Sequence, residues 1–234
     1  MQRRHIVWII AAAALLVVGI IVAQSLSMRG SKPPGLDPQY WTRLPTSGTS
    51  IGNADAPVLV EEYFDYQCPH CHTAAETIVA PIIAGHVSRG DVRFAYRMYP
   101  ILGAESIMAA RGAYCAAQAD AFWPYHERLI SRRGTGNSGA YATARLVQDA
   151  VAAGLDESAF SQCLAGDESF DFVAEWYANA QRLGLMGTPT FIVDGTVVPT
   201  STYAAVEREI ERAIKRAIER ALEQSDARTQ QESP

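Results

Sequence analysis

Residues 58–72, VLVEEYFDYQCPHCH, join an apolar, β-branched run directly to two closely spaced cysteines. The first part, 58–65, has the length and composition of a buried strand, and residues 73–84 have a helical pattern with Pro81 as the expected kink or end. Cys68 is therefore predicted at the N-terminus of a helix that follows a strand. Three kinds of chemistry use two cysteines in this spacing: a redox dithiol, a covalent haem site with the pattern C-x-x-C-H, and a zinc site.

The rest of the chain predicts an α/β fold interrupted by a block of helices. Further strands are predicted at 91–99, 190–193 and 196–198, and further helices within about 104–184 and at 203–223. The dipeptide Asp194-Gly195 between the last two strands is a strong hairpin signal. The predicted strands therefore lie on both sides of a block of about four or five helices.

Composition excludes one large class of partner. The chain has 234 residues, of which 48% are hydrophobic, and carries a formal net charge of -5 with a pI near 5.5. Such a chain is long enough for a sizeable core in one domain of ordinary size. Because nucleic-acid binding relies on clustered Lys and Arg, and no basic stripe is present in the sequence, nucleic acid is not the expected partner.

The first 23 residues have the pattern of a membrane anchor. Arg3 and Arg4 precede an uncharged apolar run at 6–23. This run reaches the ~18 residues of a membrane-spanning helix and exceeds the ~7–15-residue core of a usual signal peptide. Because basic residues favour the cytoplasmic side, residues 1–23 are predicted to anchor the chain with its body on the extracytoplasmic side. Cleavage after Ala23 and a buried globular helix are the alternatives.

Domain boundaries follow from shifts in composition. Residues 24–50 are rich in Pro, Gly and Ser without apolar periodicity, and are predicted to be a flexible tether. The folded domain is predicted at 51–223, with its helical insertion at about 104–184. Residues 224–234 are predicted to be a disordered tail.

The position of the cysteine pair after a strand favours redox chemistry. At a helix start, free N–H groups and the helix dipole stabilise negative charge, so the pKa of Cys68 should fall, and His70 adds to this effect if it is protonated. Pro69 suits the first helical turn because it has no N–H to leave unpaired. Cys71, one turn further along, is the expected resolving thiol. An inert structural disulfide is the alternative, although so short a loop gains little chain-entropy stabilisation.

Two separated motifs together resemble a known family. Residues 51–71, IGNADAPVLVEEYFDYQCPHC, and residues 186–195, MGTPTFIVDG, resemble the DsbA-like thiol:disulfide oxidoreductases, which have a thioredoxin fold with a helical insertion. The resemblance covers about residues 51–223, and CPHC is typical of strongly oxidising members. It implies that Thr188 and Pro189 form the cis-proline loop facing the active-site sulfurs. It also implies that Glu62 takes the family's buried, proton-handling position.

The residues permit these roles without requiring them. An X-Pro bond just before a strand is a place where the bond can be cis and leave a backbone edge open to an extended peptide, and this is the interpretation of Pro189. An ordinary trans proline at the strand start is the alternative. Glu62 shares a strand face with Val60 and Phe64, so burial would raise its pKa and allow proton exchange with Cys71. Glu61 lies on the opposite face, and alternation alone does not decide which of the two glutamates is buried.

The other two cysteines, Cys115 and Cys163, fall in different predicted helices of the insertion. An exported chain with an even number of cysteines permits pairing, so they are predicted to form a structural disulfide. Two buried free thiols are the alternative.

The haem and zinc interpretations compete for the same cysteines. Cys68, Cys71 and His72 fit C-x-x-C-H, and a methionine elsewhere in the chain, Met98, Met108 or Met186, would supply a second axial ligand. A c-type haem site requires neither the strand before the cysteines nor the Thr-Pro motif. Ligands this close on one helical turn cannot readily surround zinc tetrahedrally. A non-catalytic peptide-binding module would not need both thiols. Only the haem interpretation explains His72.

The sequence therefore predicts a membrane-tethered enzyme that introduces disulfide bonds into exported proteins carrying free thiols. No cofactor and no metal are expected at the site. The resemblance implies that a quinone-linked membrane oxidase, of the DsbB or vitamin K epoxide reductase type, reoxidises the cysteines. An extracytoplasmic disulfide reductase or isomerase is the alternative, and the redox potential separates these directions.

Overall fold

The computed structural model describes residues 42–231, with side chains described as far as residue 224. Within this part of the chain, six strands form one sheet in the order β1-β2-β4-β3-β5-β6. The strands are β1 (Thr46–Ser47), β2 (Ser50–Ile51), β3 (Val58–Phe64), β4 (Val92–Met98), β5 (Thr190–Val193) and β6 (Thr196–Val197). The predicted strands are confirmed, with ends that differ by one residue or less.

The centre of the sheet sets the position of the cysteines. β3 pairs in parallel with β4, from Val58 opposite Val92 to Phe64 opposite Met98, and antiparallel with β5. Parallel neighbours require a crossover connection, and a helix supplies it here. The carboxyl ends of β3 and β4 therefore meet at one edge of the sheet, and the cysteine pair follows directly after β3.

The crossover helix, α1, comprises residues 69–87. It consists of four contiguous segments: Pro69–Ala74 and Ala80–Ile82 are α-helical, and Ala75–Val79 and Ile83–Val87 are π-helical. Pro81 was predicted to kink this helix or to end it. It does not end the helix, which continues to Val87. Wider π-helical turns lie on both sides of Pro81, and such turns accommodate a residue that lacks an N–H and crowds the preceding turn.

A block of helices lies between β4 and β5. Its members are α2 (Ala104–Gln118), α3 (Phe122–Ser131), α4 (Thr143–Ala152), α5 (Glu157–Ala165) and α6 (Asp167–Arg182). Helix α2 packs against α3, α5 and α6 and is the centre of this block. The Asp156 side chain accepts a hydrogen bond from the Ala159 N–H at 2.8 Å, so the predicted N-cap of α5 is confirmed.

The last two strands and the last helix close the fold. The β5–β6 hairpin turns through Asp194 and Gly195, whose φ values of 49° and 80° are both in the left-handed region that this tight turn requires. Helix α7 (Tyr203–Gln231) packs on β3 and β5 through its first half. It runs eight residues beyond its predicted end at 223, so residues 224–231 are helical where a disordered tail was predicted.

The beginning of the described chain also differs from the prediction. β1, β2 and the turn between them lie at 46–51, largely within the predicted tether 24–50, and β2 pairs antiparallel with β4. The predicted membrane helix at 6–23 lies outside the described residues. Among residues 42–231, no helix combines the length and the apolar character needed to cross a membrane.

Candidate active site

Cys68 lies at the junction between β3 and α1. It is the N-cap residue of α1, with extended backbone angles of φ -81° and ψ 114°, and Pro69 occupies the first helical turn. The N–H groups of Cys71 and His72 donate to the Cys68 carbonyl at 3.1 and 3.2 Å. The predicted position of Cys68 at a helix N-terminus is therefore confirmed. Both side chains of the pair are buried, with Cys68 4% and Cys71 1% exposed.

The surroundings of Cys68 favour its thiolate. Its pKa is lowered to about 5, chiefly by a hydrogen bond from the Cys71 thiol. Burial opposes this shift, whereas the Thr188 side chain and the backbone N–H groups of Cys71 and His70 add to it. In the protonated state the Cys68 thiol donates to the Thr188 carbonyl at 3.3 Å. His70, whose side chain is exposed, thus contributes to the Cys68 thiolate through its backbone N–H.

Cys71 has the opposite tendency. Burial raises the pKa of Cys71 well above its usual range, and the hydrogen bond that it gives to Cys68 and the charge of Glu62 raise it further. The two thiols, one helical turn apart, are therefore strongly unequal. Cys68 ionises first, and Cys71 stays protonated and stabilises the Cys68 thiolate.

The unequal thiols give a pH prediction. Thiolate absorbance of the reduced protein is expected to titrate near pH 5, against ~8.5 for a free cysteine, and alkylation at pH 5–6 should label Cys68 before Cys71. Because the folded-state pKa is depressed, this stabilisation of the reduced folded state is fully present above pH ~8.5 and is lost as the pH falls through about 5. A single titration near 8.5 would contradict this assignment.

Glu62 is buried under the same site. It is 1% exposed on β3, between Tyr96 on β4 and Phe191 on β5, and neither of its carboxylate oxygens has a hydrogen-bond partner among the described residues. Burial raises the pKa of Glu62 well above its usual range, and the charge of Cys68 raises it further. Glu61, on the opposite face, is 18% exposed and accepts a hydrogen bond from Arg97 Nε at 2.6 Å. Of the two glutamates, Glu62 is the buried one.

The Thr188–Pro189 loop faces Cys68. The peptide bond between these two residues is cis, and both are half-buried. Two hydroxyl groups fix the loop: Thr190 Oγ1 donates to the Gly187 carbonyl at 2.7 Å, and Ser201 Oγ donates to the Pro189 carbonyl at 2.7 Å. A cavity of about 330 Å³ adjoins this loop; its lining residues are His70, Thr73, Ala74, Thr77, Ile78, Thr188, Pro189 and Ser201. A partly polar surface therefore lies beside the loop that faces Cys68.

His72, which the redox interpretation of the sequence left unexplained, is buried. It is 3% exposed, and its Nε2 lies 2.6 Å from the Tyr66 carbonyl oxygen. Burial lowers the pKa of His72. That nitrogen is already engaged by a backbone carbonyl and is not presented to an axial position of a haem. Within residues 42–231, no group of three or more His, Cys, Asp and Glu side chains is arranged to hold a metal ion.

The segment before Cys68 carries two site residues that sequence reasoning missed. The Asp65 carboxylate accepts hydrogen bonds from the N–H groups of Gln67, Ile101 and Leu102 and from the Ser106 hydroxyl, at 2.7–2.9 Å. The Gln67 amide donates to the Leu102 carbonyl, Ser106 and Asn137. These bonds tie the loop before Cys68 to the helical block. The sequence feature that could have identified these residues is the position of two polar side chains, Asp65 and Gln67, between a buried strand and the cysteines.

Cys115 and Cys163 form a disulfide that joins α2 to α5, with their Cα atoms 5.8 Å apart. The pair is separated by 48 residues in sequence and lies in the helical block, away from β3 and the start of α1.

Replacing both Cys115 and Cys163 with alanine is expected to destabilise the protein without changing its active site. In the chain-entropy model, closing a loop of this length contributes about 4 kcal/mol, so the double variant should unfold at a clearly lower denaturant concentration. The Cys68 pKa and the exchange rate should stay the same. Loss of exchange at unchanged stability would instead make this pair a redox relay.

The fold and site define a thioredoxin-fold dithiol enzyme, and comparison with known proteins agrees. The thioredoxin family model matches residues 45–212. "Probable disulfide bond formation protein D" of Bacillus anthracis is 25% identical over 210 residues, covering 86% of this chain and 94% of its own. The oxidised BdbD structure from Bacillus subtilis has a TM-score of 0.67 at 24% identity, covering 74% of this chain and 96% of its own.

The chain belongs to the thioredoxin family and, within it, to the DsbA-like thiol:disulfide oxidoreductases. It is an oxidoreductase that acts by thiol–disulfide exchange. A further relative, "Na(+)/H(+) antiporter NhaA 3" of Salinispora tropica, is 32% identical over 146 residues. That match covers 62% of this chain but only 21% of the antiporter's length. Because the similarity covers only a fifth of that protein, it is not evidence for antiport activity in this chain.

Proposed function

We propose that this protein introduces disulfide bonds into exported proteins, with Cys68 and Cys71 as its catalytic pair. The observation that carries this proposal is the difference between the two thiols: the pKa of Cys68 is lowered to about 5, and that of Cys71 is raised. A stabilised Cys68 thiolate favours the reduced form of the enzyme, which makes its disulfide a stronger oxidant. The relative from Bacillus anthracis, named a probable disulfide bond formation protein, supports the same direction.

The exchange has two steps. A substrate thiolate attacks the Cys68 sulfur of the oxidised pair, forms a mixed disulfide and releases Cys71 as a thiolate. A second substrate thiolate then attacks the substrate's own sulfur in this mixed disulfide and releases Cys68 as a thiolate. The substrate gains a disulfide and gives two electrons to the enzyme. Cys68 is the better leaving group because its pKa is low.

Glu62 is proposed to handle the proton of the first step. Because burial raises its pKa, Glu62 is a protonated acid that gives its proton to the Cys71 thiolate as that thiolate leaves. When it is ionised, Glu62 raises the pKa of Cys71, which indicates that the two groups are near enough to interact. Thr188 and Pro189 are proposed to form the loop against which the substrate backbone lies.

The reduced enzyme needs an electron acceptor. We propose a quinone-linked membrane oxidase of the DsbB or vitamin K epoxide reductase type, as the family resemblance implies. Residues 1–23 are proposed to anchor the protein in the cell membrane, with a tether that ends near β1 and the domain on the extracytoplasmic side. Exported proteins with free thiols are the proposed substrates in this compartment.

A single-turnover assay tests the direction of exchange. Oxidised enzyme is mixed at equal concentration with a reduced, unfolded secreted protein that contains two cysteines, and the products are separated after acid quenching. We expect nearly complete transfer of one disulfide to the substrate at pH 7, and the same transfer from the Cys115→Ala/Cys163→Ala variant. If the substrate stays reduced while the reduced enzyme opens substrate disulfides, the protein is a reductase. If only scrambled disulfides are rearranged, it is an isomerase.

A further inference from the structure

We propose that His72 is a positioning residue for Cys68: its ring N–H holds the Tyr66 carbonyl and so fixes the turn before Cys68 against the first turn of α1. This inference rests on thiol–disulfide exchange at Cys68 and not on the direction of that exchange. His72 directly follows the cysteine pair and takes no part in the two exchange steps.

The geometry connects two neighbouring segments of the chain. The Cys68 N–H donates to the Asp65 carbonyl at 3.0 Å, which closes a turn over 65–68. The Tyr66 carbonyl lies within this turn, and His72 Nε2 reaches back to it from α1 at 2.6 Å. A carbonyl oxygen only accepts hydrogen bonds, so Nε2 carries the proton and His72 is the donor. One side chain therefore joins the turn that precedes Cys68 to the helix that follows it.

Tyr66 is held at both of its ends. Its carbonyl accepts a second hydrogen bond, from the Tyr141 hydroxyl at 2.8 Å, and its own hydroxyl is hydrogen-bonded to His126 Nδ1 at 3.0 Å. All four side chains are buried, with Tyr66, His72, His126 and Tyr141 each 3% exposed or less. Because water has little access to this network, a lost donor is not readily replaced by solvent.

The chemistry of His72 favours a hydrogen bond over a charge. Burial lowers the pKa of His72 and lowers the pKa of the nearby His126 to about 3, so both rings are neutral donors or acceptors at neutral pH. The backbone N–H groups of His70 and Cys71, which stabilise the Cys68 thiolate, belong to the helical turn that His72 ties down. If the turn and the helix shift relative to one another, the alignment of these donors with the Cys68 sulfur is lost.

Two substitutions at His72 test the inference. His72→Phe keeps a buried ring without a donor, and His72→Gln returns an N–H at a similar reach. We expect the Phe variant to raise the Cys68 pKa by about one unit and to shift the exchange equilibrium with glutathione by about tenfold, equivalent to about 30 mV, towards a weaker oxidant. The Gln variant should recover most of both changes.

The controls separate positioning from general destabilisation. The Cys115→Ala/Cys163→Ala variant is expected to lose stability with no change in the Cys68 pKa, so a similar fall in stability does not explain a shifted pKa. If His72→Phe does not fold, His72→Asn replaces it, because its amide is too short to reach Tyr66. An unchanged Cys68 pKa in the donor-free variant, or equal shifts with Phe and Gln, would overturn the proposal. A shifted pKa leaves it standing even if the single-turnover assay identifies a reductase.

Discussion

Replacing Cys71 with serine is expected to stop turnover while leaving Cys68 able to attack. Cys68 keeps its low pKa, because a serine hydroxyl still donates the hydrogen bond that is the largest cause of that shift. The Cys68 thiolate therefore attacks substrate disulfides and stays bound, since the resolving thiol is missing. We expect turnover to fall about a thousandfold or more, as is typical when one member of a catalytic unit is removed. Mixed disulfides should appear on non-reducing gels as high-mass bands that disappear when a reductant is added.

Two matched variants give this experiment its controls. Cys68→Ser/Cys71→Ser should form no mixed disulfides, which assigns the covalent bond to Cys68. Cys71→Ala should raise the Cys68 pKa above that of Cys71→Ser, because alanine removes the hydrogen-bond donor. Mixed disulfides in the Cys68-free variant, or the same Cys68 pKa with serine and alanine at position 71, would contradict the assigned roles.

Replacing Glu62 with glutamine is expected to slow exchange and to stabilise the fold. Glutamine keeps the shape of the side chain but cannot exchange a proton with Cys71, and positioned proton transfer typically contributes about a hundredfold or more to a rate. Glu62 is buried without a hydrogen-bond partner among the described residues, so removing its ionisable group should add about 1–3 kcal/mol to the free energy of unfolding at neutral pH. Stopped-flow exchange and denaturant unfolding measure the two effects.

The pH dependence of this stability gain has a definite sign. Because the folded-state pKa of Glu62 is raised, the folded state of the parent protein loses stability as the pH rises above the unfolded value of ~4.3. The gain from Glu62→Gln should therefore be small near pH 4 and larger at pH 7. Glu61→Gln is the matched control: it loses a half-buried ion pair with Arg97, worth about 1 kcal/mol or less, and should exchange normally. Normal exchange in Glu62→Gln would remove the proton-handling role.

The sequence predicted the parts of the site that depend on local order. A β-branched run ending at the cysteines places Cys68 at the start of α1, because a strand of this length ends at the sheet edge and Pro69 favours the first helical turn. The Asp194-Gly195 turn was predictable for a similar reason, since few dipeptides tolerate two left-handed residues.

The parts that the sequence did not predict depend on tertiary contacts. β3 is covered on both faces, so its alternation does not separate the buried Glu62 from Glu61, which Arg97 neutralises. The strands β1 and β2 have two residues each, too few to show a period. The partners of Asp65, Gln67 and His72 include side chains and carbonyls that only the folded chain brings near them. Pro81 remains inside α1 because π-helical turns flank it, and the apolar spacing of this segment does not predict such turns.

The most direct test of the account is the equilibrium potential of the Cys68–Cys71 pair. The purified protein is equilibrated with defined ratios of reduced and oxidised glutathione at pH 7, quenched with acid, and its thiols are alkylated and counted by mass. A Cys68 pKa of about 5 beside a protonated Cys71 predicts a strongly oxidising couple, nearer to the about -120 mV of DsbA than to the about -270 mV of thioredoxin. A potential close to that of thioredoxin would contradict the proposal that this protein introduces disulfide bonds.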